Sequence, residues 1–374
     1  MSSETAPPTP AKPRESLGFW RESWRNFRRR PQAMAALSFV VFLSLVALTA
    51  PMIVGTRPII CEYKGEIYFP ATYYYYRILG LNTQAYKTEA VFTNDKFRGV
   101  YPGNLKKNDP DSWAIWPLVY QDPYRPIEAD EWPGQPASPS GIQGAPNKYN
   151  LLGTNDDGVD VFAQMVHATQ ISLLVGFVSM GIAAFIGVIV GALSGFYGGW
   201  IDIILSRVIE VVMCLPTLIL ILAVRSILDD ITIWHLMVLI GATGWTGIAR
   251  LTRAEFMKIR EIEYVSAARS LGAGQMRLMF VHILRNALAP ILVPISFGIA
   301  SAILTEGALS FLGFGAPPPN PSWGTLLSEG RTRIQTMWWL VVYPGMAIFS
   351  TVLAYNLIGE GVQEATDPRT RETS

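Results

Sequence analysis

The chain has 374 residues, half of them apolar and only 16% charged, against about 25% charged in a typical soluble domain. Lys and Arg number 30 and Asp and Glu 29, a net charge of +1 that excludes the strongly basic surface of a nucleic-acid binder. Six stretches are long and apolar enough for a helix to cross ~30 Å of hydrocarbon, which takes about 20 residues. The sequence therefore predicts an all-α, multispanning membrane protein with the lipid bilayer as its solvent.

In chain order, residues 1–30 read as a disordered, basic cytoplasmic tail, with Pro, Thr and Ser concentrated in 1–16. Residues 31–55 form the first span, inside an uncharged run from Pro31 to Thr56 that is too long for the apolar region of a signal peptide and reads as a retained anchor. Residues 56–150 form an extracytoplasmic insertion holding 11 of the 26 prolines and 11 of the 15 tyrosines. So many aromatic residues argue against simple disorder. The segment predicts a small cap with a few strands, or more sharply a docking surface for substrate or a binding protein.

Residues 151–360 hold the other five spans. Asp160 is placed to cap the helix leading into the second, Ala168–Ile201. Gly187, Gly191 and Gly195 recur every four residues there, a small-residue ridge that lets helices approach closely. The third span, Val211–Val224, contains Pro216 and should kink. The fourth is Ile231–Ala249, the fifth Ala287–Leu312 and the sixth Met337–Gly359, followed by a cytoplasmic tail over 361–374. Seven Lys and Arg lie in residues 1–30 and seven between Arg250 and Asn286, with Arg207, Arg369 and Arg371 on the same side. The short loops opposite hold only Arg225, Arg331 and Arg333. The positive-inside rule then places both termini in the cytoplasm.

Several chemistries leave no trace. His167, His235 and His282 form no H-E-x-x-H pair, and neither a G-x-x-x-x-G-K-[ST] phosphate loop nor a G-x-S-x-G elbow occurs. Cys61 and Cys214 make no zinc or redox motif. The segment Asn155–Asp160 resembles a calcium loop until its twelfth position, which is Val166 rather than Glu. The expectation is a non-enzyme with no metal site and no cofactor of its own. Glu306 reads as either a pore-facing acid or a structural one bonded near the interface. A proton- or sodium-coupled carrier would need more such acids.

The connection at 261–286 carries the most information. In Glu263-Tyr264-Val265-Ser266-Ala267-Ala268-Arg269-Ser270-Leu271-Gly272, the residues Tyr264, Ala267, Ala268 and Leu271 fall at i, i+3, i+4 and i+7, one face of a short helix. Glu263 opens it and Gly272 suits a left-handed stop. A helix lying on lipid would show bulkier apolar residues and more lysine, so the alanines point to a groove on another protein.

The pattern E-Y-V-x-A-A-x-x-L-G followed by H-I-L-x-N resembles the EAA loop of binding-protein-dependent ABC importer permeases. Leu152-Gly153-Thr154, Leu304-Thr305-Glu306, Ser310-Phe311-Leu312-Gly313, Pro321-Ser322-Trp323-Gly324 and Asp367-Pro368-Arg369 resemble the dipeptide/oligopeptide branch in order. The stretches Arg57–Ile60 and Gly65–Pro70 further resemble the Yej-type oligopeptide/microcin C permease. The chain departs from the branch at Arg285, where Pro is usual, and at Val159, where Arg is usual. The resemblance implies the type I importer permease fold in a bacterial cytoplasmic (inner) membrane. This chain would be half of a pore, paired with a homologous permease. Two ABC ATPase subunits, carrying ATP and Mg, would sit below, and an extracytoplasmic substrate-binding protein would deliver peptide. Nickel or another small solute is the alternative cargo, and an ion-coupled carrier the alternative class.

Overall fold

The computed structural model describes residues 19–79, 101–124, 150–227, 232–315 and 320–366. In chain order the helices are α1 (Phe19–Arg28), α2 (Pro31–Ile53), α3 (Tyr73–Ile78), α4 (Tyr101–Asn108), α5 (Val161–Tyr197), α6 (Gly199–Met213) and α7 (Thr217–Ile227). They continue with α8 (Ile233–Gly244), α9 (Thr246–Arg260), α10 (Glu263–Ser270), α11 (Gln275–Arg277), α12 (Leu284–Phe311), α13 (Trp323–Arg331) and α14 (Trp339–Thr366). A π-helical turn over Leu278–Ile283 joins α11 to α12, so one helix runs unbroken for 37 residues from Gln275 to Phe311.

Among the described residues, α2, α5, the Gln275–Phe311 helix and α14 are long and apolar enough to cross a membrane. The expected third span is broken: α6 meets α7 at 78°. The physical cause is Pro216, which has no N–H to continue the helical ladder. The chain closes α6 with Cys214 N donating to Glu210 O at 3.1 Å and starts α7 with Leu220 N donating to Pro216 O at 3.0 Å. The expected fourth span is α8, only 12 residues, about 18 Å of rise, before the chain pauses at Trp245 and resumes as α9. Among the described residues, then, four helices are long and apolar enough to cross a membrane, or five if the bent pair is one span, and α8 is a shorter apolar helix beside them. The basic tail expected to be disordered through residue 30 is helical over α1. Residues 1–16, most of Pro117–Pro146 and the Asp367-Pro368-Arg369 ending lie outside the described residues.

α5 is the central post. Its 37 residues rise about 55 Å, well beyond the hydrocarbon core, and Asp160 caps it as its position suggests, Oδ2 accepting from Ala163 N at 2.8 Å. Against it pack α2, α8, α9 and α12, with α14 covering α12 and α2. The insertion carries a small antiparallel sheet in the order β2-β1-β3, from β1 (Ile60–Tyr63), β2 (Glu66–Tyr68) and β3 (Trp113–Ile115). Lys64 and Gly65 turn β1 into β2 with φ of 51° and 78°, the positive-φ pair that a two-residue hairpin favours.

An aromatic cluster joins this cap to the end of α5. Buried His167 pairs through Nε2 with Val54 O at 2.9 Å and through Nδ1 with the Tyr124 hydroxyl at 3.1 Å. Tyr74 stacks on Tyr124, and the Arg77 guanidinium lies 4.2 Å over the Tyr124 ring. The tyrosines that single out residues 56–150 in the sequence therefore serve packing against the helices, at least for Tyr74 and Tyr124.

Candidate functional site

The short helix at 263–270 forms as its pattern predicts, but its faces divide differently. Val265 is fully buried and Ala268 half-buried, both against the cluster that contains Phe256, Leu278 and Met279. Ala267 and Leu271 face outward, Leu271 at 89% exposure, while Tyr264 is exposed only at its edge and turns its hydroxyl toward the long helix. Ala268, placed by the periodicity on the face with Ala267, turns to the chain's own core. Val265, outside the arc that the periodicity marks, stands three residues before Ala268 and shares its buried side. Glu263 is exposed at the first turn, where a carboxylate suits the helix dipole.

Gly272 ends the helix with φ of 83°. Gly272 N donates to Arg269 O at 3.0 Å and Ala273 N to Ala268 O at 3.1 Å. These two bonds define a Schellman stop, and Ala268 and Ala273 pack on the same cluster beside it. The outward Ala267 and Leu271 are therefore held on a rigid, tightly ended turn of helix.

Tyr264 ties that turn to the long helix. Its hydroxyl donates to His282 O at 3.1 Å and accepts from Asn286 Nδ2 at 2.7 Å, while the same amide donates to His282 O at 2.9 Å. The π turn over Leu278–Ile283 leaves a carbonyl open to side chains, a feature that π turns often supply at functional sites. This is the physical link between the E-Y and H-I-L-x-N patterns, 22 residues apart in sequence.

On its other side the short helix follows directly from α9, which the glycine ridge of α5 receives. A Cβ on Gly187 would lie 2.8 Å from Trp245 O, one on Gly191 2.4 Å from Ala249 O, and one on Gly195 2.6 Å from Arg253 O. Midway along α9, Arg253 grips Asp202 of α6 in a fork, Nε to Oδ1 at 2.5 Å and Nη2 to Oδ2 at 2.7 Å. Arg260 Nη1 donates to the carbonyls of Gly195 and Phe196, satisfying the last turn of α5. The arginines of this region, which the Lys and Arg bias of the short loops predicts to share one membrane side, also hold α6 and the end of α5.

Two cavities border α9. The first, about 400 Å³, lies among α5, α7, α8 and α12 and includes Ser179, Thr217, Thr243, Ser301 and Thr305, with no ionisable residue in its lining. Ser179 Oγ is buried and has no hydrogen-bond partner. The second, about 1030 Å³, lies between α6 and α9 and includes Glu210, Cys214, Arg250 and Arg253. Gly247 borders both.

Glu306 lies in neither cavity. It is 1% exposed, and Oε1 accepts from Ser310 Oγ at 2.6 Å and Ser322 Oγ at 2.7 Å. Ser322 also caps α13, and a Cβ on Gly324 would sit 2.6 Å from Ser310 Cβ. The Leu304–Glu306, Ser310–Gly313 and Pro321–Gly324 patterns are thus one buried junction between α12 and α13. Glu306→Ala leaves two buried hydroxyls without their acceptor and is expected to destabilise by about 2–4 kcal/mol. Glu306→Gln keeps an acceptor and is expected to retain most of that stability and full transport. Thermal unfolding in detergent and uptake in cells check both.

Glu329 at the end of α13 accepts from Asn155 Nδ2 at 3.4 Å. Glu329 is exposed as a residue, and its carboxyl turns toward Asn155, Asp156 and Asp157. Desolvation, aided by Asp157 and Asp156, pushes that carboxyl up from 4.5 to about 7, against the opposing Asn155 bond. Asp156 is itself paired with Arg333 at 3.2 Å. A carboxyl raised on folding holds its proton in the native state only, so stability falls as pH rises from about 4.5 through 7. Glu329→Gln is expected to flatten that slope in a pH series of melting temperatures.

Helices long and apolar enough to cross a membrane, joined by short connecting helices, define a polytopic membrane protein. The chain belongs to the family described as binding-protein-dependent transport system inner membrane components, whose sequence model matches residues 187–372. A second model, the N-terminal TM domain of oligopeptide transport permease C, matches residues 18–75. The chain is 41% identical over 226 residues to the dipeptide transport system permease protein DppC of Haemophilus influenzae, covering 60% of this chain and 76% of that one. It is 31% identical to the peptidoglycan transport system permease protein YejE of Agrobacterium fabrum, covering 93% of each. A solved inward-facing MetNI methionine ABC transporter is similar over 53% of this chain and 95% of its own at 19% identity, with a TM-score of 0.41.

Proposed function

We propose that this permease is one half of the pore of an ATP-driven importer of di- or oligopeptides or peptide-like compounds. A homologous permease supplies the other half, and a substrate-binding protein delivers cargo from outside. ATP is hydrolysed, with Mg, on two separate ABC ATPase subunits and not on this chain. Both termini and the helix at 263–270 face the cytoplasm. The observation that carries this reading is the outward face of Ala267 and Leu271 on a Schellman-stopped helix, bonded through Tyr264 at one end to α12 and following at the other from α9. Seated in an ATPase groove, such a helix passes ATP-driven closure to both elements as a lever rather than a loop.

Cargo would pass along the cavities that α9 borders. The smaller one offers hydroxyls without charge, which suits the peptide backbone common to all peptides and leaves side-chain choice to the binding protein. The larger one adds Arg250, Arg253 and Glu210. Exposed Cys214 borders the larger cavity and Cys61 is buried. A bulky, membrane-impermeant thiol reagent applied from the cytoplasmic side is therefore expected to abolish uptake in wild type and spare Cys214→Ser. Equal sensitivity of the two would remove Cys214 from the path.

The test of the whole reading is co-purification of the tagged chain with the products of its neighbouring genes, followed by uptake of labelled peptide into vesicles loaded with ATP. ATPase subunits and a second permease should co-purify, and uptake should require ATP. Uptake driven by a proton gradient without ATP would overturn it.

A further inference from the structure

α1 has a face that transport alone leaves unused. Ser23 and Phe27 are buried, Phe27 lying 2.9 Å from where a Cβ on Gly361 would stand, so the helix is pinned to the start of α2 and the end of α14. That docking turns Trp20 and Trp24, one turn apart, outward at 42% and 53% exposure. Arg21, Arg25 and Arg28 form the next ridge round, also exposed, and Arg29 follows, with Glu22 the one acid of the segment and Arg30 paired with Glu364 of α14. Two residues later the chain enters a span, so α1 lies at the membrane surface. Aromatic rings settle at headgroup level, and a helix with an apolar ridge beside a cationic one lies in the interface and attracts anionic lipid.

A cavity of about 550 Å³ opens between α1 and the π turn, bordered by Trp20, Arg21, Tyr264, His282, Arg285 and Asn286, with no acid in its lining. We propose that this cavity holds the phosphate headgroup of an anionic membrane lipid, gripped by Arg21 and Arg285 with Trp20 against the glycerol region. Guanidinium forks match phosphate oxygens. Val281, also in the lining, and the exposed Phe280 beside it add apolar surface at the same turn for the acyl chains. A lipid seated there touches Tyr264 and Asn286, the pair that bonds the short helix to α12, so it sets how firmly the coupling lever is held. Binding stands independently of the transport reading; the effect on coupling rests on it.

The test is native mass spectrometry of the full chain with phosphatidylglycerol, wild type against the double variant Arg21→Gln/Arg285→Gln. Removing two surface guanidiniums should weaken lipid retention about 25-fold, roughly fivefold each. Inorganic phosphate and glycerol phosphate should not displace the lipid. Displacement by either overturns the lipid as occupant, and equal retention by the variant overturns the site.

In nanodiscs the assembled wild-type complex should lose peptide-stimulated ATP hydrolysis severalfold when phosphatidylglycerol is replaced by phosphatidylcholine. The double variant should be low in both. Loss of the ATPase subunits from the variant would instead assign these arginines to a protein interface and overturn the lipid assignment. Absence of ATPase subunits from wild type would sink the importer reading, while lipid retention would still decide the site.

Discussion

Ala267→Arg should strip the ATPase subunits from the purified complex and abolish uptake while leaving the permease folded. Ala267 is exposed on the outward face, so nothing within this chain resists the longer side chain, and an open surface substitution shifts stability by only about 0.5 kcal/mol either way. In a partner's groove the same guanidinium meets close-packed surface, where a central contact is worth about 2–4 kcal/mol, a loss of affinity near 100-fold. Ala268→Arg is the weaker test despite its adjacent position, because Ala268 packs half-buried on Val265's side. It should lower the melting temperature as well as the coupling. The comparison is read by co-purification and by thermal unfolding of each variant. An Ala267→Arg complex that keeps its ATPases and transports normally would refute the docking face.

Gly191→Leu is expected to have the largest effect on the fold. Even the first added carbon would stand 2.4 Å from Ala249 O and 2.6 Å from Thr252 Cβ, so α9 must leave α5 or the backbone must bend. Overpacking of this kind costs about 3 kcal/mol or more when the clashing atom is main chain. Because α9 runs straight into the helix at 263–270, survivors should also be uncoupled. Gly181→Ala in the same helix is the control: no atom lies within 4 Å of its would-be Cβ. There the change is expected to be neutral or to stabilise by up to about 1 kcal/mol. The yield of monodisperse protein and its melting temperature separate the two. Equal behaviour would mean the ridge does not pack as described.

Much of this molecule is legible along the chain because its signals are local. Hydrocarbon thickness and the apolar runs determine where long helices must lie. Asp160 marks the start of α5, Gly272 marks a left-handed stop, and the four-residue glycine spacing marks a close-packed ridge. Each follows from backbone geometry within a few residues. Periodicity also places Tyr264, Ala267, Ala268 and Leu271 within one arc of a helix.

Only the tertiary structure decides what covers that arc. It gives Ala268 with Val265 to the core and leaves Ala267 and Leu271 outside, because the boundary depends on where Phe256 and Leu278 arrive from other helices. Glu306 is settled in the same way. Whether an acid in a span faces a pore or a pair of serines depends on Ser322, 16 residues along the chain. The bend at Pro216 was foreseeable as a kink, but its 78° angle depends on how α6 and α7 pack on their neighbours. The bond from Asn286 to Tyr264 and the docking of α1 by Phe27 join segments distant in sequence, and no local pattern encodes such pairings. Sequence alone thus determined the elements and their stops. Tertiary packing decided which surfaces remain available to a partner, because burial is a property of the neighbours and not of the helix that carries the residue.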